Sequence, residues 1–155
     1  MVRDTLVYSP YLDDRLGIYA IFERLPDLGI DVDILITDGE EVGNSSAKDF
    51  SQNCYKNYNW IVEFDRKGED VVLYDYKNMQ TEESLIEAGF IIGDGTRSDI
   101  SHMQSFGVVC FNVGIGFHHE HYSDCWADMA MFERQLGRFE DFYRINKSCI
   151  LEDES

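Results

Sequence analysis

Several things are scarce in this chain, and each scarcity excludes something. Prolines number two, Pro10 and Pro26, both near expected element boundaries, and no linker, internal repeat or low-complexity block is visible. Basic residues number 13 against 30 acidic ones, a net charge of −17. Such a chain repels phosphate backbones, so nucleic acid is excluded as a partner. No apolar run approaches the ~20 residues that cross a bilayer, and the opening "MVRDTLVY" is too short and polar for a signal peptide. The expectation is a cytoplasmic protein without membrane contact. Four cysteines (Cys54, Cys110, Cys125, Cys149) are widely spaced, with no CxxC pair. That spacing argues against a thiolate zinc site and against disulfides, and leaves buried free thiols.

What is present is enough for an ordered core. Apolar residues make up 44% of the 155 and aromatics 14%, which argues against an acidic disordered chain and for one domain over residues 1–155. "TLVYS" reads as a short strand and "LDDRLGIYAIFERL" as a helix. Asp13 or Asp14 caps that helix, and Ile18, Ile21, Phe22 and Leu25 lie at helical spacing. "VDILIT" predicts a buried strand and "SSAKDFSQN" a short helix. "WIVEFD" and "DVVLYDY" predict strands separated by the turn "RKGE". "TEESLIEA" predicts a helix opened by Thr81 and Ser84 and ended at Gly89, followed by helical turns at "SDISHMQ". "GVVCFNVGI" is a strand, and an amphipathic helix runs from Asp124 to about Asn146. Strands alternating with helices imply an α/β sandwich with a mixed or largely parallel sheet. Trp60, Trp126 and the aromatics of the last helix belong to the core. Phe132, Phe139, Phe142 and Tyr143 are also candidates for an oligomer face.

In such folds working residues collect beyond the carboxyl ends of strands. Asp13 and Asp14 follow "VYSPYL", Glu40 and Glu41 follow "DILITDG", Asp65 closes "WIVEFD", and His118, His119 and His121 follow "FNVGIG". Each has an ordinary reading taken singly: a helix cap, a solvated turn, an ion pair of Asp65 with Arg66 or Lys67, a polar loop. Together they offer oxygen and nitrogen donors without thiolate, the ligand chemistry of zinc or a similar divalent ion. The adjacent glutamates then divide the work: one binds metal, and the other takes a proton from water beside it.

The ordered pieces "YLDDRLGIYAI", "TDGEEVGNSSA", "VEFDRKGEDVVLYD", "GTRSDIS" and "FNVGIGFHHEHYS" resemble the co-catalytic zinc aminopeptidase and carboxypeptidase superfamily, from about residue 8 to residue 124. The resemblance implies a three-layer sandwich with a mixed, mostly parallel sheet flanked by helices, a reduced zinc-peptidase fold. It implies Asp13 as the metal-bridging aspartate beside a cis peptide bond, Glu40 as general base, and Glu41, Asp65 and His121 as metal ligands. His118 and His119 are substitutes for His121, and Asp99 and His119 are substrate-side residues. The family's first ligand, in an upstream His-x-Asp pair, has no counterpart, since no histidine precedes His102. One zinc ion is therefore expected, held by Asp13, Glu41 and His121, with the second site weak or absent. The implied function is a zinc metallohydrolase acting on a peptide or small amide, as a peptidase or aminopeptidase. The alternative is a catalytically impaired binding or regulatory protein that keeps the groove for a partner. A homo-oligomer or a partner chain that supplies the missing ligand belongs to the same expectation.

Overall fold

The computed structural model describes residues 2–155, and the side chains of all of these except Val2, Arg3 and Glu41. The chain folds as mixed α/β around two sheets. One is antiparallel, with β1 (Val2–Arg3), β2 (Leu6–Tyr8), β8 (Trp126–Asp128) and β7 (Phe117–His118) in that order. The other orders β3 (Ile61–Arg66), β6 (Cys110–Gly114), β4 (Asp70–Val72) and β5 (Ile91–Ile92). Its β3–β6 and β4–β5 pairings are parallel and its β4–β6 pairing antiparallel. The apolar run of β6 is buried along its whole length, as a strand covered on both faces requires.

Helix α5 (Met129–Asn146) carries most of the aromatic core. Phe132, Leu136, Phe139 and Phe142 recur every three or four residues and are almost fully buried. Phe139 meets Phe64 of β3 edge-on, with ring centroids 5.0 Å apart. Trp60 packs against Phe111, Phe139 and Phe142, and its indole N–H donates to Asn146 C=O at 3.0 Å. Each of these rings contributes about 1.5–3 kcal/mol by leaving water. An oligomer face built on Phe132, Phe139 and Phe142 is therefore overturned, since these rings are spent inside the chain. The helix also starts later than its apolar period suggests. Trp126–Asp128 pairs with β2 instead, and Asp128 caps α5 by accepting from Ala130 N–H at 2.9 Å. Buried Gln135 donates to the carbonyls of Glu69 and Gly114, at 2.8 and 2.7 Å, and so ties α5 to the end of β6.

The other helices are α1 (Leu12–Tyr19), α2 (Leu25–Asp27), α3 (Ala47–Asn53) and α4 (Met79–Glu87). A π-wound stretch, Ala20–Arg24, joins α1 to α2. Leu12, Leu16, Ala20 and Leu25 face the core, while Ile18 and Phe22 are 44% and 51% exposed, contrary to the expected apolar face. Ile18 lies two residues from Leu16, on the opposite face of α1, and the wide turn slips the helical period before Phe22. Helix α4 begins two residues early, capped by Asn78, whose Oδ1 accepts from Thr81 N–H at 2.8 Å; Thr81 is thus capped rather than capping. It ends at Gly89, whose φ of +93° lets the chain reverse.

The largest departure is at "VDILIT". It is not a strand. Its side chains are largely exposed, and no strand among the described residues pairs with it. The sequence pattern is that of a buried strand, but a strand needs a neighbour, and the fold provides none there.

Candidate metal centre

Asp13 sits at the start of α1, where the backbone of Asp13 and Asp14 departs from helical angles. The Asp13–Asp14 peptide bond is cis. Asp14 Oδ1 accepts from Gly17 N–H at 2.9 Å, so the capping role falls to Asp14. Gly17 is required here: a Cβ would stand 2.0 Å from the Phe64 carbonyl oxygen, where α1 presses on β3. That close packing carries Asp13 and Asp14 to the end of β3, beside Asp65.

Asp65 lies in an irregularity of the β3–β6 ladder between Glu63 and Arg66. Buried Asn112 of β6 compensates. Its Oδ1 accepts from Asp65 N–H at 3.2 Å, and its Nδ2 donates to Asp65 C=O at 3.1 Å. Asp65 is thereby held without a basic neighbour. Arg66 pairs with Asp70 and Lys67 with Glu120, so the ion-pair reading of Asp65 does not hold.

Three of the expected donors converge. The Asp65 carboxyl lies close enough to Asp13 for that neighbour to help raise its pKa. His121 has a left-handed backbone, φ +65°, and its Nδ1 lies 3.6 Å from Asp13 Oδ2. Asp13 is largely enclosed, with 12% of its side chain exposed, whereas His121 is open at 61%. The side chain of Glu41 lies outside the described residues. Among the described residues no three His, Cys, Asp or Glu side chains stand in ready-made coordinating geometry.

The expected base and substrate-side residues occupy a second, adjoining group. Glu40 lies in a 3₁₀ turn, Glu40–Val42, and shares a cleft with Arg97, Ser98, Asp99 and His102. Asp99 is 7% exposed, and its Oδ1 has no hydrogen-bond partner among the described residues. His119 turns instead to Asp124, with Nδ1 3.3 Å from Oδ2. His118 stacks on Trp126 at 4.3 Å, and burial lowers its pKa.

Glu63 links the two groups, and the sequence reading did not single it out. It accepts from Ser98 Oγ at 2.5 Å and from Ile100 N–H. Burial, then the charges of Asp99 and Glu40, push its carboxyl up to about 8. Asp14 and Asp65 are also raised, by burial first and then by neighbouring carboxylates. The signal for Glu63 was a charge inside the apolar run "WIVEFD", two residues before Asp65. Burial first and neighbouring carboxylates second thus raise three acids in one cluster that is short of positive charge.

Neither a family model nor a curated protein matches this sequence.

Proposed function

We propose that this chain is a zinc-dependent amide hydrolase of reduced peptidase type, with its metal at Asp13 and a three-layer α/β sandwich behind it. One observation carries the reading: Asp13 has the Asp65 carboxyl as a near neighbour and the His121 imidazole at 3.6 Å. Two oxygens and a nitrogen from separate segments, on a buried base of carboxylates, are the donor set zinc takes at hydrolytic sites. Asp13, Asp65 and His121 would hold the ion, Asp65 standing where the sequence reading puts Glu41, whose side chain lies outside the described residues. When bound, zinc polarises an amide carbonyl and acidifies water. Glu40, beside the neighbouring cleft, receives the proton from water and returns it to the leaving amine. Asp99 and Arg97 line the cleft in which a free amino or carboxyl end of the substrate would sit.

The test is hydrolysis of an aminoacyl anilide with added zinc, comparing the native protein with Glu40→Gln. Activity should fall by about 10²–10⁴-fold, while calorimetry shows zinc still bound. Equal rates in the two proteins reject the role of Glu40. A second reading, a binding protein on the same scaffold, is favoured by the lack of ready-made coordinating geometry among the described residues. Absence of zinc uptake at micromolar free metal would select it.

A further inference from the structure

The run Val32–Ile36 has the composition of a strand covered on both faces, yet it is uncovered. Val32, Ile34, Leu35 and Ile36 are 37%, 45%, 38% and 53% exposed. Among the described residues, no backbone hydrogen bond joins Asp31–Thr37 to another backbone group. A second unpaired edge is that of β3, which ends its sheet among the described residues. Ile61 N–H donates to Val109 C=O at 3.1 Å, which turns Ile61 and Glu63 toward β6. Val62 therefore points its N–H and C=O outward, where β3 has no neighbouring strand.

Two charge contacts imply that these edges run side by side in one direction. At one end Asp33 pairs with Lys56, and at the other Glu40 lies near enough to Glu63 to act on it by its charge. The offset along the chain is the same at both ends, which sets residues 33–40 parallel to residues 56–63, with no backbone–backbone hydrogen bond between them among the described residues. One absent strand would separate its neighbours by about 9–10 Å, a span that a lysine reaching an aspartate bridges. A hollow of about 320 Å³, lined by Ile21, Pro26, Ile30, Val32 and Ile34, opens on the same flank.

We propose that a β-strand of another polypeptide enters between Asp31–Thr37 and β3, parallel to both, and completes the sheet. Its chemistry follows from its surroundings. Its middle is apolar, because it covers Ile34 and Ile36 and fills the hollow beside Ile21. Its carboxyl end meets Glu40, Glu63 and Asp65, so that end bears imidazole or basic side chains. A second copy of this chain is disfavoured, since each copy carries a net charge of −17 and would bring acids to acids. Main-chain pairing supplies the affinity and the basic end the direction. The inference stands on the unpaired edges and not on zinc.

The experiment is amide hydrogen exchange on the metal-free protein in chelator. The probe is a peptide of about seven residues, the length of a typical strand. It alternates valine and threonine and ends in histidine and lysine. Amides of residues 32–37 and Val62 should exchange freely in the dilute protein and slow at least tenfold as the peptide saturates. A peptide ending in two glutamates should bind at least tenfold more weakly. The double variant Ile34→Pro with Leu35→Pro removes N–H groups on both sides of the segment. It should abolish peptide binding without moving the unfolding midpoint, since the segment is exposed and unpaired. The proposal is overturned by strong protection of these amides in the dilute protein alone, by protection that grows with protein concentration without peptide, by no protection from the basic-ended peptide, or by full binding to the double-proline variant. Because zinc is absent throughout, failure here and failure of the hydrolase reading show separately.

Discussion

Replacing Glu63 with glutamine tests whether the buried acids are arranged as described. In the folded, metal-free protein the Glu63 carboxyl is held up to about 8, against 4.5 for an ordinary glutamate. Between those values the folded state binds a proton that the unfolded state has released. Stability therefore falls as pH rises, by about 1.4 kcal/mol per pH unit for one such group. From pH 5 to pH 8 that is up to about 4 kcal/mol, and above the folded value the loss levels off. Glutamine keeps an acceptor for Ser98 Oγ and cannot ionise. Its amide meets Ile100 N–H unfavourably, at about 1–3 kcal/mol, but at every pH. The diagnostic quantity is thus the slope and not the stability at one pH. Urea unfolding in chelator at a series of pH values should show the native protein losing stability toward pH 8 and Glu63→Gln losing less, with the remaining slope belonging to Asp14 and Asp65. Equal slopes in the two proteins, or native stability that rises with pH, would refute the reasoning.

Other outcomes follow from single contacts. Asp13→Asn should weaken zinc binding at least tenfold in calorimetry, about 1.4 kcal/mol or more, because Asp13 is the donor common to Asp65 and His121. Phe139→Ala should cost about 3–5 kcal/mol in chemical unfolding, since the ring is fully buried against Phe64 and Trp60. Gly17→Ala should destabilise by about 1–3 kcal/mol or more and lower zinc affinity with it, because the methyl group forces α1 off the Phe64 carbonyl. Asn78→Ala should cost about 1 kcal/mol by removing the cap of α4, read as a lower melting midpoint.

Elements whose partners are specified by their own apolar period were legible from sequence. The cores of α4 and α5 and the strands β3 and β6 fall where the patterns of Leu85, Phe132–Phe142, Ile61–Phe64 and Cys110–Val113 put them. "VDILIT" was not legible in the same way. An apolar run encodes a preference for burial, but the neighbour that satisfies it lies elsewhere, and here it is missing from residues 2–155. The π-wound turn after Tyr19 carries no composition signal, which is why the exposure of Phe22 escaped. The proximity of Asp13, Asp65 and His121 was open to inference because each ends a strand or follows one. Glu63 and Asn112 were not, because a polar residue inside a strand looks like an outward-facing one until the second face proves to be buried.

The uncovered flank at Val32–Ile36 also sets the colloidal behaviour of the protein. Exposed apolar backbone edges recruit one another into precipitates unless something holds the molecules apart, and here that gatekeeper is the charge of −17. Acidification toward the isoelectric point near 4.3 dismisses it. Acid also relieves Asp14, Glu63 and Asp65, so the condition that suits the isolated fold best is the one in which its solutions turn cloudy first.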